Sequence, residues 1–372
     1  MTHTPQQRNA TFSHIVMQGS PYDIGALQGA ALRGVPAWVE FMRSGRQLVT
    51  REQARSLASL FQQYVPDLYA EAEGLAAGLR ADPEELIFFV QSYLVPGACS
   101  QFAVHSSITR EGRILIGRSY EFADREDDLR LCTTAVNGRL RHSGFSLMVL
   151  GRMDGMNERG LCVTTSSGGL PVGYKPPLSA PPQAGFQFWV LVRAILENAA
   201  SVEDGLNILR SLPLSCNTNL IISSADGRAA LVEVDGPRHA VRWLGEPGAE
   251  TALISTNHTV LQSSPYPVFP NSFVRYHQIG SRLQQNAPDV TLASIKDILA
   301  EPYPKGLCCP YYDEYFGTLH SMVFDPASQV MEVCFGAPTH NPWRRFDLTQ
   351  PQEISFIPAV LPLEKAPSEF WA

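Results

Sequence analysis

The sequence predicts an α+β protein in which a helical N-terminal leader precedes a body of antiparallel sheets covered by helices. From about residue 20 to 95, apolar residues recur at intervals of three and four, the period of amphipathic helices. After Cys99 the period changes to two, and strand-like runs come in pairs around turn residues. Helical stretches return in two blocks, near 186–212 and 272–300, which favours covering layers over alternating βαβ winding.

The leader divides into helices at its caps and prolines. Ser20-Pro21 offers an N-cap and a first-turn proline for YDIGALQGAALRGVPAWVEFMR. Two further stretches, EQARSLASLFQQYV and PDLYAEAEGLAAGLR, meet at Pro66, and a fourth, PEELIFFVQSYL, stops at Pro96-Gly97. We therefore expect four helical stretches before the body begins.

The body contains four hairpin signals. Each joins two strand-like runs across a short polar or glycine-containing turn: QFAVHSSIT and RILIGRSY around REG, GFSLMVLGR and GLCVTTSS around MDGMNER, NLIISS and AALVEVDG around ADG, and HSMVFDPASQVMEVCF around DPAS. The proline-rich stretch 170–185 predicts an irregular surface loop.

Composition excludes several classes of function. The net charge of −7 and the lack of a basic run argue against a nucleic-acid or anionic-membrane surface. No apolar run approaches the roughly 20 residues that span a bilayer, and MTHTPQQRNA lacks the layout of a secretory signal. Seven cysteines without an export signal indicate a reducing compartment, and hence a cytoplasmic protein. Without a CxxC pair or an HExxH motif, no metal site or cofactor is expected.

The stretch VPGACSQFAV, 95–104, places a thiol where the leader ends and the first strand begins. A cysteine is a good nucleophile only as a thiolate, so it needs a base. Candidate bases within the chain are four histidines, His105, His142, His258 and His320. Scission between Ala98 and Cys99 would supply another, the new α-amino group, whose ordinary pKa of about 7.7–8 suits proton transfer near neutrality.

Six motifs, in order along about residues 19–280, resemble the penicillin acyltransferase-like branch of the N-terminal nucleophile hydrolases, which is related to choloylglycine hydrolases and acid ceramidase-like amidases. They are GSPYDIGALQG (19–29), ACSQF (98–102), ILIGRSYEF (114–122), DGMNERGL (154–161), STNH (255–258) and NSFVRYHQI (271–279). Each is weak alone, whereas the ordered set is specific. The resemblance implies a four-layer αββα sandwich of antiparallel sheets.

The resemblance also implies the roles of five site residues. Cys99 would be the nucleophile in self-cleavage at Ala98–Cys99 and in turnover, and Arg118 would favour its anionic form. Asn257 would donate a side-chain N–H to the oxyanion of the tetrahedral intermediate. Asn157 would help to shape that pocket, and Arg275 would support the site by its charge.

Glu121 stands where this family usually has an aspartate that holds the new α-amine. It keeps the charge but reaches one methylene further, so the geometry of the site must differ. Ser119 replaces an asparagine of the family pattern and cannot donate as an amide does. These two departures bear on the efficiency of self-cleavage more than on the identity of the nucleophile.

The resemblance implies an autoproteolytic amidase that cleaves a linear C–N bond of a small N-acyl amine. Residues 1–98 would form the leader and 99–372 the catalytic body, and the two pieces would remain associated as a heterodimer. Acyl transfer to an amine, from an amide or an acyl-CoA thioester, is the close alternative. A papain-like protease with a Cys99–His258 dyad and an inactive, uncleaved homologue are the remaining alternatives.

Overall fold

Two β-sheets pack face to face and carry helices on their outer faces in this computed structural model, which describes residues 6–90, 98–169, 184–264, 267–314 and 316–371. The strands in chain order are β1 Gln7–Gly19, β2 Ala98–Val104, β3 Leu115–Phe122, β4 Arg130–Val136, β5 His142–Leu147, β6 Gly151–Arg152, β7 Gly155–Asn157, β8 Cys162–Ser167, β9 Asn217–Ser223, β10 Ala229–Asp235, β11 Arg238–Trp243, β12 Ala252–Ser255, β13 Gly317–Asp325, β14 Val330–Phe335, β15 Trp343–Asp347 and β16 Ser355–Pro362.

Ten α-helices lie in the described part of the chain. They are α1 Pro21–Leu32, α2 Pro36–Met42, α3 Arg51–Tyr64, α4 Pro66–Leu79, α5 Ile87–Val90, α6 Phe188–Asn198, α7 Val202–Ser211, α8 Asn271–Asn286, α9 Leu292–Ala300 and α10 Ser368–Trp371. The predicted cap of α1 is confirmed, because the Ser20 side chain accepts the Asp23 N–H at 3.2 Å and Pro21 opens the helix. None of the described helices is long and apolar enough to cross a bilayer.

The larger sheet has the order β11-β10-β9-β8-β7-β5-β4-β1-β16, with β6 paired to β5, and the smaller has the order β12-β2-β3-β13-β14-β15. Neighbouring strands are antiparallel except for β1 and β4. Helices α6 and α7 pack on the larger sheet, while α8 and α9 pack on the smaller one. This is the predicted four-layer αββα arrangement, and three of the four predicted hairpins lie within it. The second was predicted wrongly, because β7 lies inside the predicted turn MDGMNER and pairs with β5 on one side and β8 on the other, so β5 and β8 are not neighbours.

The leader also contains a strand that the sequence pattern did not predict. Its first described element is β1, a 13-residue strand that lies between β4 and β16 inside the larger sheet. Of the four predicted stretches, the first forms two helices, α1 and α2, because the helix ends before Pro36, the second and third form α3 and α4, and the fourth begins with a short 3₁₀ turn and α5. Residues 91–94 of that fourth stretch, the Pro96-Gly97 that follows it, and residues 170–183 of the predicted surface loop lie outside the described residues.

The strand that carries Cys99 is buried on both faces. Phe102 and Val104 pack with residues of α8 and α9 in the outer core. Gln101 points to the larger sheet, where its amide bonds Ser166 and Thr164. Because side chains alternate along a strand, Cys99 faces the larger sheet with Gln101, whereas Ala98 and Ser100 face the α8 layer. This strand therefore places neighbouring residues of the site in two different layers.

Candidate active site

Cys99 is the second residue of β2 and is 5% exposed. Its backbone N–H donates to Asn257 Oδ1 at 2.8 Å, and its thiol lies 3.6 Å from Arg118 Nη2. The main-chain nitrogen and the sulfur thus each have a dedicated side-chain partner. The predicted nucleophile and two of its predicted partners are brought together.

Arg275 joins the backbone of Cys99 to Asn257. Its Nη1 donates to the Cys99 carbonyl at 2.6 Å and to Ser100 Oγ at 2.9 Å, and its Nη2 donates to Asn257 Oδ1 at 2.8 Å. The fully buried guanidinium therefore holds the Cys99 backbone in place through charge-assisted hydrogen bonds. These three hydrogen bonds are the contacts through which Arg275 could support the site, as the sequence predicts.

The Ser-x-x-Arg spacing on α8 has a physical reason. Residues three apart share one helix face, so Ser272 and Arg275 both point at the loop that carries Asn257. Ser272 Oγ accepts the Asn257 backbone N–H at 2.8 Å, while Arg275 binds the Asn257 side chain. One helix face fixes both the main chain and the amide of this residue.

The orientation of the Asn257 amide is fixed by its partners. Oδ1 accepts from the two donors Cys99 N–H and Arg275, and Nδ2 donates to Ser167 Oγ at 2.9 Å. The carbonyl oxygen therefore faces the nitrogen that scission would release as an amine. The N–H predicted to serve the oxyanion points at Ser167 in the uncleaved chain.

Glu233 anchors the segment just after Asn257 and was not anticipated from the sequence. This buried carboxylate on β10 accepts the consecutive backbone N–H groups of Val260, Leu261 and Gln262, the last two at 3.0 Å. A buried carboxylate satisfied by main-chain donors immobilises the loop that it binds. Its only sequence signal is an acidic residue inside an apolar strand.

Arg118 spans from the thiol to a second buried network. Its Nε donates to Asp154 Oδ2 at 3.2 Å, and its Nη1 donates to the Ser119 carbonyl. Burial raises the pKa of the Cys99 thiol, and the nearby charge of Arg118 offsets this only in part. In the uncleaved chain the Cys99 thiol is therefore protonated. The charge of Arg118 alone does not lower the thiol pKa enough to form the thiolate that the sequence predicts beside it.

Asp154, which was not assigned a role from the sequence, and His320, one of the four candidate bases, complete this network, so His320 binds a carboxylate and not the Cys99 thiol. His320 Nε2 lies 3.0 Å from Asp154 Oδ2, and its ring stacks on Phe145 with centroids 3.6 Å apart. Burial lowers the pKa of His320, and Asp154 offsets this only in part, so the neutral ring donates its Nε2–H to the carboxylate. A buried arginine needs a negatively charged partner. This requirement of Arg118 is the one argument from the sequence that could have pointed to an acidic residue such as Asp154.

Glu121 lies on the α8 side of β3, directly across from Ala98 in the strand register. Its Oε1 accepts from Ser119 Oγ and from Thr318 Oγ1, the latter at 3.2 Å, while Oε2 is buried without a hydrogen-bond partner among the described residues. Burial raises the pKa of Glu121 to about 7, although Arg275, Ser119 and Arg118 oppose the shift. The carboxyl group does not bind the Cys99 nitrogen here, since Asn257 occupies that position.

Asn157 is not brought to the thiol. Its Nδ2 donates to the carbonyls of Leu196 and Ala199 at 3.0 and 2.8 Å, and its Oδ1 accepts the N–H groups of Arg159 and Leu161 at 3.0 and 3.1 Å. These four bonds use the full capacity of the amide. They fasten the β7–β8 turn to the end of α6, which is a structural task.

His258 is adjacent to Asn257 but turns away from Cys99. Its Nδ1 bonds the hydroxyls of Ser272 and Thr256 at 2.8 and 3.1 Å. Burial, with help from the charge of Arg275, lowers its pKa to about 4, so the ring is neutral near pH 7. No hydrogen bond links it to Cys99 in the described part of the chain, so the arrangement lacks the contact that a Cys–His dyad requires.

Within the described ranges, no group of three or more His, Cys, Asp or Glu side chains is placed to share a metal ion. The site instead consists of a thiol, two buried guanidinium groups, an amide and a carboxyl group. Such a set can stabilise negative charge on sulfur and oxygen and can hold an amine. This chemistry suits acyl transfer through a thioester.

Solved structures resemble this chain at low identity. The Caenorhabditis elegans N-acylethanolamine-hydrolyzing acid amidase ortholog is 16% identical, covers 62% of this chain and 93% of its own, and has a TM-score of 0.43. Penicillin V acylase from Agrobacterium tumefaciens is 16% identical over 68% of this chain and 87% of its own, with a TM-score of 0.44. A mutant of the conjugated bile acid hydrolase from Clostridium perfringens is 13% identical over 70% and 96%, with a TM-score of 0.46.

A family model also matches the chain and includes most of the site. The model for acyl-coenzyme A:6-aminopenicillanic acid acyl-transferase matches residues 108–340, more than half of the sequence. The match includes Arg118, Asn257 and Arg275, which contact Cys99 in the structure, and Asp154, which binds Arg118. The chain therefore belongs to the acyl-coenzyme A:6-aminopenicillanic acid acyl-transferase family.

Proposed function

We propose that this protein is an amidohydrolase that cleaves a linear amide bond of a small N-acyl amine through an acyl-enzyme on Cys99, after its own chain is cut before that residue. One observation carries the proposal: the Cys99 nitrogen and sulfur each meet a dedicated partner, Asn257 and Arg118. These are the two atoms that an N-terminal nucleophile uses, the amine as base and the thiol as nucleophile. Scission would divide the chain into 1–98 and 99–372.

Self-cleavage begins with attack of the Cys99 sulfur on the Ala98 carbonyl carbon. A C–S bond forms, the Ala98–Cys99 C–N bond breaks, and the thiol proton passes to the departing nitrogen. Water then hydrolyses the thioester, which releases Ala98 as a carboxylate and restores the thiol. Arg275 supports this step because it holds the Cys99 carbonyl and the Asn257 side chain while the bond before them breaks.

Turnover repeats this chemistry on an external amide. The α-amine of Cys99 takes the thiol proton, the sulfur attacks the substrate carbonyl, and the protonated amine product leaves. Water resolves the acyl-enzyme to a carboxylic acid. Rotation of the Asn257 amide away from Ser167 would supply an oxyanion donor, and such a donor is typically worth about 3–4 kcal/mol.

Glu121 has a separate role in the proposal. It lies opposite Ala98, the residue that leaves, and its Oε2 has no hydrogen-bond partner among the described residues. Departure of Ala98 opens space beside this carboxyl group for the new ammonium group. An ammonium partner would stabilise the charged carboxylate and lower its pKa.

Acyl transfer is the second candidate, and the family match favours it. The matching model describes an acyltransferase, and the chemistry differs only in whether water or an amine resolves the acyl-enzyme. One panel of amides and acyl-CoA thioesters, assayed with and without added amine, separates the two. Hydrolysis predicts free acid in both conditions, whereas transfer predicts a new amide that depends on the added amine.

The test of self-activation is a denaturing gel with intact mass measurement. Wild type should give fragments of about 11 kDa and about 30 kDa from the 40.9 kDa chain, the larger beginning Cys-Ser-Gln-Phe. Cys99→Ala should remain one band without amidase activity. Full amidase activity from an uncut wild-type chain would exclude the amine as base.

A cytoplasmic location is also part of the proposal. All seven cysteines are unpaired and buried, which suits a reducing compartment. Fractionation of the source cells with a compartment marker tests it.

A further inference from the structure

The smaller sheet has an open edge at β12. This strand pairs with β2 on one side, and no strand of the described chain pairs with its other side. The His105 N–H donates to the Thr251 carbonyl at 2.8 Å, and in an antiparallel pair such bonds recur at every second residue. The N–H and C=O groups of Ala252 and Ile254 therefore point away from β2. They are main-chain donors and acceptors that another strand can use.

The larger sheet extends beyond this edge. β12 packs over β9 and β10, and β11 is the next and last strand of the larger sheet on that side. Arg242 of β11 is paired with Leu231 of β10, so both side chains lie on the same face of the sheet. Leu231 is buried, and it lines one cavity together with Leu253 and Ile254 of β12. Arg242 therefore lies on the face that looks toward the smaller sheet, just beyond its last strand.

The cavity beside β12 is a groove of about 400 Å³. One face of α8 forms a wall of this groove, while β10 and β11 form its floor. All of its lining residues belong to the described part of the chain, and they are Ile108, Leu231, Arg242, Gly248, Ala249, Glu250, Thr251, Ala252, Leu253, Ile254, Val260, Tyr276, Gly280, Leu283, Gln284 and Ala287. β12 is four residues long, so its open edge offers a docked strand roughly 13 Å of pairing.

Arg242 is the charge that this groove leaves unsatisfied. Its guanidinium forms no hydrogen bond or ion pair with another residue of the described ranges, and its side chain is half-buried. The other charged lining residue, Glu250, is exposed and accepts the Gly248 N–H at 2.9 Å. A negatively charged group that enters the groove over β11 would therefore pair with Arg242.

The α8 wall of the groove is apolar. Leu283 is buried, and Ile254 of β12 packs against the same cluster. A Cβ added to Gly280 would lie 3.6 Å from Ile254 Cδ1, so the glycine leaves depth beside the strand. A strand added to β12 would turn every second side chain toward this wall and the others toward Arg242. The groove therefore suits an alternation of apolar and acidic residues.

A second copy of this chain does not supply that alternation. If β12 paired with β12 of another copy, the residues brought to Arg242 would be those on the core-facing side of β12, Leu253 and Ser255. Neither is acidic, so Arg242 would stay unpaired. Charge complementarity therefore favours a different protein as the occupant.

We propose that this groove is a docking site for an extended segment of a partner protein, which adds to β12 as a seventh strand of the smaller sheet. In that segment, apolar side chains that pack on α8 alternate with side chains that face β11, of which one is acidic and pairs with Arg242. Strand addition of this kind draws affinity from main-chain hydrogen bonds and specificity from alternate side chains. Neither Cys99 nor its partners line the groove, so this inference goes beyond the proposed function and stands without it.

The experiment measures binding of the fluorescein-labelled peptide Val-Glu-Val-Glu-Val to the purified protein by fluorescence anisotropy. The acidic peptide should bind with a saturable curve, and Val-Lys-Val-Lys-Val should bind about 10-fold more weakly. Arg242→Glu should reverse this preference. The matched control is Arg344→Glu, which changes an exposed arginine on β15, at the opposite edge of the same sheet, and should leave both affinities unchanged.

Two N-methylated peptides test the main-chain pairing without any change to the protein. In a strand, the N–H groups of successive residues point to opposite edges. Methylation of one set of nitrogens, either those of valine or those of glutamate, should therefore abolish binding, and methylation of the other set should be tolerated. These peptides carry the test if Arg242→Glu does not fold.

Three results would overturn the docking site: no saturable binding of the acidic peptide, equal binding of the acidic and basic peptides, or the same response to both methylation patterns. Sedimentation equilibrium over a range of protein concentrations covers the second copy. A dimer that the acidic peptide dissociates would give this edge to a second copy and would also overturn the assignment. Amidase activity is not a readout here, so failure of the docking site leaves the proposed function unaffected.

Discussion

The guanidinium of Arg118 connects the Cys99 sulfur to the Asp154 carboxylate. Burial would raise the pKa of Asp154, but His320 and Arg118 outweigh it, so the pKa is lowered and the group is ionised. Arg118 and Asp154 are both fully buried, so each depends on the other for charge balance. The planar guanidinium group of arginine can contact the sulfur and the carboxylate at the same time, which the single ammonium group of lysine cannot do in this geometry.

Asp154→Asn should therefore destabilise the protein by about 3–5 kcal/mol, because it strands the buried charge of Arg118. The double variant Arg118→Met/Asp154→Asn should lose clearly less than the sum of the two single variants. Urea unfolding of all four chains, each with Cys99→Ala to prevent scission, measures the coupling. Additive losses would show that the two groups do not depend on each other.

A second prediction concerns Glu121 and pH. Its pKa is raised from 4.5 to about 7, so folding favours the protonated form, and stability falls as pH rises from about 4.5 to about 7. The difference corresponds to at most about 3 kcal/mol. In a Cys99→Ala chain, Glu121→Gln should remove this part of the loss between about pH 4.5 and about pH 7, as measured by urea unfolding. An unchanged pH dependence would contradict the raised pKa.

Helices α1 and α4 approach so closely that backbone touches backbone. A Cβ added to Gly25 would lie 1.8 Å from the carbonyl oxygen of Glu71, and one added to Gly74 would lie 2.0 Å from that of Tyr22. Glycine on both helices is what allows this contact. Gly25 belongs to the motif GSPYDIGALQG (19–29), so this motif serves to pack α1 against α4.

Gly25→Ala should force these helices apart and cost about 3 kcal/mol, and it should also slow self-cleavage by disturbing the leader. Gly34→Ala is the control, since its nearest non-neighbouring heavy atom would lie 3.6 Å from the new Cβ. Thermal melting of uncut chains and the rate of fragment appearance are the two measurements. Equal behaviour of both variants would rule out the close crossing.

At the scale of the whole molecule, the leader is part of the sandwich. β1 bonds β4 on one side and β16 on the other, and Glu71 of α4 bonds Arg193 of α6 at 2.7 Å with both side chains buried. Sheet hydrogen bonds and a buried ion pair would both survive a cut before Cys99. These contacts support the proposal that the two pieces remain a heterodimer.

Cleaved protein should therefore elute as one species on size exclusion and should separate only in denaturant. Glu71→Ala should lower the denaturant concentration at which the fragments part, because it removes one of the two carboxylates that bind Arg193, a loss of about 3 kcal/mol. Glu40→Ala, which changes an exposed leader carboxylate, should have no effect. Free leader in native buffer would contradict the heterodimer.

The hairpins and helix blocks were predictable because their signals are local. β1 was missed since its partners lie more than a hundred residues away, and a partly exposed strand has only a weak alternating pattern. Cys99, Arg118, Asn257 and Arg275 were found as motifs. The pairing of Asp154 with Arg118 depends on the β6–β7 turn meeting strand β3 of the other sheet, which no sequence spacing encodes. The backbone bonds of Asn157 likewise had no signal in the sequence.

The pairing of β1 with β16 ties the beginning of the chain to its end. On a ribosome, a strand formed by residues 7–19 has an open edge until residues 355–362 have emerged. The larger sheet can therefore be completed only after synthesis has passed the final strand. A nascent polypeptide that stalls before residue 355 therefore lacks the strand that covers this edge of β1.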